Sequence, residues 1–165
     1  MNANILKVEE FLPIREKIGK DGGSLVFTNG CFDIIHRGHV EYLAKARSYG
    51  DFLLVALNTD QSVREIKGPT RPIIPEEDRA VVLAAIESVD FVILFDESTP
   101  EKLIEAVRPD VLAKGADWPM DKIIGADIVK ANGGKVVRIE LTPHRGTSEI
   151  INRIDELRGR VDGSS

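Results

Sequence analysis

Residues 25–39 read LVFTNGCFDIIHRGH, an apolar run followed by a glycine-containing turn and a pair of histidines. The run over 25–28 is typical of a buried strand, and the turn leads into a segment with helical spacing. The first turn of a helix presents unpaired backbone N–H groups and a partial positive charge, so it attracts phosphate. Two imidazoles placed there, His36 and His39, can donate hydrogen bonds to phosphate oxygens. The stretch therefore indicates a site for nucleotide phosphates.

Apolar runs alternate with segments of helical spacing along the rest of the chain. The runs lie at 25–28, 52–58, 91–95, 111–113 and 136–139. Most of them are continuous, which is typical of parallel strands that are buried on both faces. The alternation predicts an α/β fold, a doubly wound, Rossmann-like five-stranded parallel sheet with helices on both faces and right-handed crossovers.

The chain length and the absence of a dividing linker predict one domain. Its 165 residues are enough for a single sizeable core, and no linker divides them. We expect one domain over 1–158 and a frayed polar tail over 159–165. A helix should precede the sheet at about 8–18 and begin at Pro13, because proline is tolerated at the first helical position. Helical spacing places Val82, Ala85, Ile86 and Val89 on one buried face.

Composition excludes several classes of protein. Hydrophobic residues make up 42% and charged residues 30% of the chain, as in soluble globular proteins. The net charge of −5 argues against a nucleic-acid partner. A single cysteine, Cys31, excludes an internal disulfide and fits a reducing compartment. The sequence shows no signal-peptide pattern and no apolar run long enough to span a membrane. We expect a cytoplasmic enzyme without a membrane partner.

The histidine pair has two other interpretations. The chain contains neither a Walker A sequence nor a G-x-G-x-x-G turn after a strand, so phosphate would have to be bound in another way. The histidines could simply pack against the core. At positions i and i+3 they could also bind a metal ion, but a structural zinc site needs four ligands, and Cys31 and His144 lack a suitable spacing.

Residues 30–39, GCFDIIHRGH, resemble the G-x-F-D-x-x-H-x-G-H signature of the cytidylyltransferase-like nucleotidyltransferases. Further stretches resemble the family in the same order: LNTD at 57–60, KG at 67–68, RP at 71–72, EDR at 77–79, PDVLAKGADW at 109–118 and GTS at 146–148. Within the family the chain is most similar to the adenylyltransferase domain of bifunctional heptose kinase/adenylyltransferases, as a stand-alone form. Trp118 stands where those domains carry tyrosine.

This resemblance implies a reaction. ATP and a sugar 1-phosphate, D-glycero-D-manno-heptose 1-phosphate, would give ADP-heptose and pyrophosphate by in-line attack at the α-phosphate, for the lipopolysaccharide core or surface glycans. The attacking phosphate oxygen is already an anion, so positioning and electrostatic stabilisation should supply the catalysis. Mg²⁺ would be bound mainly through the ATP phosphates. A homo-oligomer, a dimer or higher, is also implied.

Other activities stay open at this point. Enzymes of the same fold include cytidylyltransferases for glycerol-3-phosphate or phosphoethanolamine, and FAD synthetases. A nucleotide-binding sensor without turnover is an alternative of another class. The histidine turn, residues 30–39, does not separate these activities, because all of them bind a nucleoside triphosphate.

The resemblance also implies roles for individual residues. His36 and His39 would bridge the α- and β-phosphates, and Lys67, in the loop over 67–74, would clamp phosphate. Asp33 and Arg71 would contact the acceptor, or hold that loop instead. Nucleotide contacts are implied for a larger group: Thr28, Asn29, Gly30, Phe32, Gly38, Lys114, Gly115, Asp117, Arg145, Thr147 and Ser148. Asp117 matches the position that accepts hydrogen bonds from the ribose hydroxyls. No protein ligand to a metal is predicted.

Overall fold

A six-stranded parallel sheet forms the centre of the computed structural model, which describes residues 4–143 and 146–162. The strands are β1 (Ile5–Leu6), β2 (Leu25–Gly30), β3 (Phe52–Asn58), β4 (Phe91–Phe95), β5 (Val111–Gly115) and β6 (Lys135–Ile139). The helices are α1 (Val8–Lys20), α2 (Arg37–Arg47), α3 (Asp60–Lys67), α4 (Glu76–Ala84), α5 (Glu101–Val107), α6 (Ala126–Ala131) and α7 (Thr147–Asp162), with a 3₁₀ turn at Met120–Lys122. The predicted fold class is confirmed.

The strand order is β1-β4-β3-β2-β5-β6, and every neighbouring pair is parallel. The order reverses at β2, which pairs with β3 on one side and with β5 on the other. In open α/β sheets, ligands bind beyond the carboxyl ends of the strands at such a reversal. The carboxyl end of β2 is where the histidine turn begins.

Successive residues of a strand point to opposite faces of a sheet, and two hydrophobic layers result. In β2, Val26 packs with α2 and α4 on one face, and Phe27 packs with α1, α5 and α6 on the other. Both side chains are fully buried, as continuous apolar strands require.

The prediction of five strands was wrong by one. β1 is a two-residue strand whose Ile5 and Leu6 pair with Val92 and Ile93 at the outer edge of β4. Two apolar residues between polar neighbours show no run that would distinguish a strand from a loop. Its pairing partner is more than eighty residues away, so only the folded sheet defines it.

The predicted start of the first helix was also wrong, because α1 begins at Val8 and continues through Pro13. The Lys7 backbone N–H donates to Glu10 Oε2 at 2.7 Å, and this bond satisfies one of the free N–H groups at the helix start. Phe11 is fully buried and anchors the first turns against the sheet. Pro13 lies on the exposed side, where the carbonyl that it leaves unpaired can bind water.

Two boundaries near other helices differ from expectation. α4 ends at Ala84, so the spacing across 82–89 is not that of one helix, and Val82 is 45% exposed. The buried residues of α4 are instead Arg79, Ala80 and Leu83. The domain boundary predicted at 158 falls inside α7, which runs to Asp162.

In the described part of the chain, no helix combines the length and the apolar character that crossing a membrane requires.

Candidate active site

A cleft of about 520 Å³ opens at the carboxyl ends of the central strands. This volume is typical of sites for small ligands and cofactors. The cleft joins the turn after β2, the start of α2, the end of β5 and the start of α7. Most predicted site residues line it: Asn29, Gly30, Phe32, Asp33, His36, Gly38, His39, Lys67, Arg71, Lys114, Gly115, Asp117, Thr147 and Ser148.

The two histidines form a stacked pair at the start of α2. His36 is the residue before the helix and His39 lies in its first turn, with ring centroids 3.8 Å apart and an interplanar angle of 26°. Both Nδ1 atoms are buried, and neither has a hydrogen-bond partner within the described residues. A ligand with acceptor oxygens would supply the missing partners, because buried polar atoms are normally paired.

The pair is uncharged at neutral pH. Burial, and then the neighbouring charge of His36, lower the pKa of His39 from 6.5 to about 4. Burial also lowers the pKa of His36, although the carboxylate of Glu149 acts in the opposite direction. Each neutral ring therefore offers one N–H donor and one acceptor nitrogen.

The turn that carries the pair has a strained backbone. Phe32 and Ile34 have φ angles of 43° and 36°, in the left-handed region that costs non-glycine residues about 1 kcal/mol or more. A Cβ at Gly30 would lie 3.0 Å from the Phe32 ring, so glycine allows that ring to fold back over the strand end. The Phe32 ring in turn lies 5.3 Å from the His39 ring. The strained turn therefore helps to hold the His39 ring in place through its contact with Phe32.

Asp33 lies at the middle of this turn and is 2% exposed. It accepts from Arg71 Nε at 2.6 Å, and from the backbone N–H groups of Ile73 and Ile74 at 2.9 Å each. Burial raises the pKa of the Asp33 carboxyl, but the bonds from Ile74, Ile73 and Arg71 outweigh it and hold that pKa below its usual value. Both carboxylate oxygens are thus engaged with the loop after α3.

Lys67 is the last residue of α3 rather than part of the loop, which starts at Gly68. Gly68 ends the helix with φ 95°, a conformation that glycine adopts at low cost. The side chain of Lys67 is exposed and faces the cleft that the histidines line. One long cation therefore lines the same cleft as the imidazole pair.

The end of β5 supplies the other wall of the cleft. Lys114 Nζ donates to Asn29 Oδ1 at 2.7 Å and lies 5.5 Å from the centre of the Trp118 ring. Burial lowers the pKa of Lys114 to about 8, against the raising effect of Asp117. A Cβ at Gly115 would overlap the Asp117 carboxylate, so only glycine permits this position of Asp117.

The start of α7 reaches the same cleft through Gly146, Thr147 and Ser148. The Gly146 N–H donates to Glu149 Oε2 at 2.5 Å, and this bond caps the start of α7. His144 and Arg145, the second of which is a predicted nucleotide contact, lie outside the described residues.

Thr28 is the one described candidate that does not line the cleft. It is fully buried in β2, and its Oγ1 pairs with the hydroxyl of Tyr42 at 2.8 Å. Tyr42 itself lines the cleft, and burial raises its pKa to about 12, so the hydroxyl stays protonated. Tyr42 could not be distinguished from its sequence context, because a tyrosine on a helix is usually a packing residue.

Arg79 is a second residue that sequence reasoning left without a role. It lies in α4, is 1% exposed, and donates to Cys31 O at 2.6 Å, to Asn58 O at 2.9 Å and to Ile74 O at 2.9 Å. It also donates to Asp60 Oδ1 at 2.7 Å. The available signal was the match of residues 77–79 to the family, which names the position but not its contacts.

The cleft contains few carboxylates for a cation. Asp33 and Asp117 are the carboxylates that line it, and Asp33 is already engaged with Arg71. Over the described ranges 4–143 and 146–162, no group of three or more His, Cys, Asp or Glu side chains could hold a metal ion.

Comparison with known proteins was made on sequence and on structure. The cytidylyltransferase-like family model matches residues 27–154. The bifunctional protein HldE of Methylobacillus flagellatus is 59% identical over 133 residues, 81% of this chain and 27% of that protein. HldE of Syntrophotalea carbinolica is 48% identical over 146 residues, 88% of this chain and 30% of that protein. The chain thus spans between a quarter and a third of the length of these curated relatives.

Two solved structures share the fold. The lipopolysaccharide core biosynthesis protein of Thermoplasma volcanium has 30% sequence identity and a TM-score of 0.59, over 73% of this chain and 98% of that one. Pantoate-beta-alanine ligase of Francisella tularensis has 16% identity and a TM-score of 0.55, over 83% of this chain and 66% of that one, and shows the fold alone. Since the family model covers most of the chain, including the histidine cleft, the chain belongs to the cytidylyltransferase-like nucleotidyltransferases.

Proposed function

We propose that the chain transfers the AMP moiety of ATP to a sugar 1-phosphate, D-glycero-D-manno-heptose 1-phosphate, giving ADP-heptose and pyrophosphate. The stacked His36–His39 pair, which lines a cleft at the strand reversal and whose two Nδ1 atoms are buried without a partner among the described residues, is the observation that carries nucleotide phosphate chemistry. The similarity to HldE supports heptose as the sugar. The similarity to a lipopolysaccharide core biosynthesis protein supports a place in surface glycan synthesis.

The reaction needs no general base. A phosphate oxygen of the acceptor attacks the α-phosphorus, a new P–O bond forms, and the bond to the bridging oxygen breaks as pyrophosphate leaves. Negative charge grows on the bridging oxygen and on the β-phosphate oxygens as pyrophosphate departs. His36 and His39 would donate to these oxygens, and Lys67 would clamp the phosphates from the opposite wall. Fixed donors in a partly dry cleft stabilise such charge more than water does.

The strand order supports a division of the cleft into two halves, one on each side of β2. We assign the nucleoside to the wall formed by β5 and the start of α7, where Gly115 and Asp117 lie beside Lys114. Asp117 would accept hydrogen bonds from the ribose hydroxyls. The acceptor then takes the wall that follows β3 and β4, where Asn58 and Lys67 lie. The histidines stand between the halves, where the α-phosphorus must be attacked.

The contacts of Asp33 favour the loop-holding alternative over direct acceptor binding. Its two oxygens accept three hydrogen bonds from residues 71–74, which leaves little capacity for a ligand hydroxyl. Arg71 engages Asp33 through Nε and has a side chain that is 16% exposed toward the cleft. We therefore assign Asp33 to the loop, and Arg71 to the acceptor phosphate through its remaining N–H groups.

Mg²⁺ fits this site as a companion of the triphosphate. Because Asp33 is engaged and Asp117 faces the ribose position, the phosphate oxygens and water would provide most of its ligands. The ion supplies charge neutralisation when bound, and the protein residues supply orientation.

Pyrophosphate release from a matrix of nucleotides and acceptors tests this function. ATP with heptose 1-phosphate should give the highest kcat/KM among pairs of ATP, CTP, GTP and UTP with heptose 1-phosphate, glycerol 3-phosphate, phosphoethanolamine and FMN. Preference for CTP with glycerol 3-phosphate or phosphoethanolamine, or for ATP with FMN, would replace the heptose assignment. ATP binding without pyrophosphate release for any acceptor would favour a sensor.

Two further expectations accompany this proposal. A homo-oligomer is implied by the family resemblance, and light scattering of the purified chain would measure its mass. A cytoplasmic location stays a prediction, which fractionation of the producing cells would check.

A further inference from the structure

Arg79 is the largest fully buried side chain of the described residues, and nucleotidyl transfer as outlined above does not use it. Burying a guanidinium is costly unless nearly all of its donors are paired. Arg79 meets this condition with three backbone carbonyls and one carboxylate. The partners belong to segments that are far apart in sequence, so the side chain ties separate parts of the site together.

The partners of Arg79 are the segments that carry the catalytic candidates. Cys31 belongs to the histidine turn, and its carbonyl directly precedes the strained residue Phe32. Asn58 and Asp60 flank the start of α3, the helix that ends at Lys67. Ile74 lies at the far end of the loop after that helix. One guanidinium thus contacts the histidine turn, the base of the Lys67 helix and the loop between them.

Asp33 completes this arrangement from the other side. Asp33 lies in the chain between Phe32 and Ile34, the two left-handed residues, and its carboxylate accepts from the N–H groups of Ile73 and Ile74. Ile74 is therefore held through its N–H by the turn and through its carbonyl by Arg79. The strained turn and the loop are fixed to each other by buried charges at both of these points.

We propose that Arg79 is a positioning residue that sets the separation between Lys67 and the His36–His39 pair by bonding the histidine turn to the base of α3 and to the end of the following loop. This inference rests on the proposed function, because it takes Lys67 as the phosphate clamp. Electrostatic stabilisation depends on donors placed to within a fraction of an ångström, so a shift of either segment lowers the rate of transfer.

The test compares Arg79→Lys with Arg15→Lys. Arg15 offers a matched control because it also donates to backbone carbonyls, those of Val107 and Arg108, and pairs with Asp110, on the sheet face away from the histidine turn. Lysine keeps the charge but cannot reach several carbonyls at once. Arg79→Lys should lower kcat roughly tenfold or more with a smaller change in the KM for ATP, whereas Arg15→Lys should leave kcat unchanged.

A double-mutant cycle with Lys67→Ala distinguishes positioning from general loosening. If Arg79 acts through Lys67, the losses in kcat overlap, and Arg79→Lys costs little in the Lys67→Ala background. Multiplicative losses, or an Arg79→Lys enzyme within about twofold of wild-type kcat, would overturn the proposal. Should Arg79→Lys fail to fold, Asp60→Asn weakens the same bond set at its half-exposed end and enters the same cycle.

Amide exchange provides a readout that needs no substrate. Exchange at Ile73 and Ile74 should quicken in Arg79→Lys and stay unchanged in Arg15→Lys. Unchanged exchange would contradict the proposed tie even in an active enzyme. If the wild-type protein releases no pyrophosphate with any acceptor, the proposed function fails, while faster exchange in Arg79→Lys would still establish the connection between turn and loop.

Discussion

At the scale of single residues, the proposed chemistry centres on the His36–His39 pair. The rings are close, stacked, partly buried and uncharged in the free protein. A donor that points at the departing pyrophosphate matters most in the transition state, where the negative charge is greatest.

Replacing His39 by alanine tests that role. His39→Ala should lower kcat about a hundredfold or more, as loss of other oxyanion-stabilising donors does, while the fold survives. Arg37→Ala is the control, since Arg37 lies in the same helix turn but pairs only on the surface with Glu41. Pyrophosphate release measures both variants, and circular dichroism confirms folding. Near-normal turnover of His39→Ala would remove His39 from the mechanism.

The lowered pKa of His39 also predicts how stability depends on pH. Because its folded-state pKa, about 4, lies below its ordinary 6.5, the unfolded chain binds the proton first as the pH falls. The contribution of His39 to stability is therefore complete above about pH 6.5 and is lost progressively toward pH 4. The free energy of unfolding, measured by urea titration at several pH values from 4 to 7.5, should fall more steeply with decreasing pH in wild type than in His39→Gln. An equal dependence on pH in the two proteins would contradict this origin.

Residue identities in the site were predictable where the chemistry is local. The histidines, Gly30 and Gly38 lie within ten residues of one another, so spacing alone brings them to one turn. Lys67 and Asp117 depended on the family resemblance. The burial of Arg79 was not predicted, because the side chain bonds to the carbonyls of residues 31, 58 and 74, which only the folded chain brings together.

At the scale of elements, the histidine turn and the loop after α3 behave as one unit. Asp33→Ala should lower the free energy of unfolding by about 3 kcal/mol, because it leaves the Arg71 guanidinium and two N–H groups without their buried partner. Urea titration measures this loss.

A surface ion pair is the control for Asp33→Ala. Glu156 pairs with Arg153 on the exposed side of α7, so Glu156→Ala should leave the unfolding midpoint nearly unchanged. Equal effects of the two substitutions would show that the Asp33 contacts contribute no more than a solvated pair.

The elements themselves were predictable to the extent that they have long apolar runs. The strands from β2 to β5 were found because each contains a continuous, mostly buried apolar run. The edge strand β6 was found from the shorter run at 136–139, of which Ile139 is buried. β1 was not predicted, because two residues carry no pattern. The predicted start of α1 was too late, because the preference of Pro13 for the first helical turn is outweighed in the structure by the bond from Lys7 to Glu10 and by the buried Phe11. Tertiary contacts outweighed the local preference of proline.

At the scale of the whole molecule, the strand order determines where the ligand lies. A reversal at β2 opens the cleft between the β3 and β5 sides, so ATP would bridge two halves of the sheet. A ligand that binds only the folded state stabilises it, by about 2.7 kcal/mol at a hundredfold excess over its Kd.

Thermal unfolding with nucleotides tests this placement. MgATP should raise Tm clearly more than AMP at equal concentration, because AMP lacks the β- and γ-phosphates that the start of α2 and Lys67 would bind. In Lys67→Ala the advantage of ATP over AMP should shrink. Equal stabilisation by the two nucleotides in wild type would place the binding energy in the nucleoside rather than in the phosphates.

The strand order was the part of the architecture that the sequence could not specify. Alternation of runs and helices predicts parallel strands and crossovers, but several orders satisfy it. The order follows from which helix covers which face, and therefore from the two hydrophobic layers rather than from any one segment.

The stacked, uncharged imidazoles have a consequence for competition in the cell. A small inorganic anion meets no permanent positive charge on these rings, and to bind them as cations it would have to supply the energy of drawing a proton into a partly dry cleft. A polyphosphate chain brings several charges at once and raises the basicity of both rings together. We therefore expect these two rings to favour a nucleoside triphosphate over free phosphate, which should compete only weakly with ATP for them.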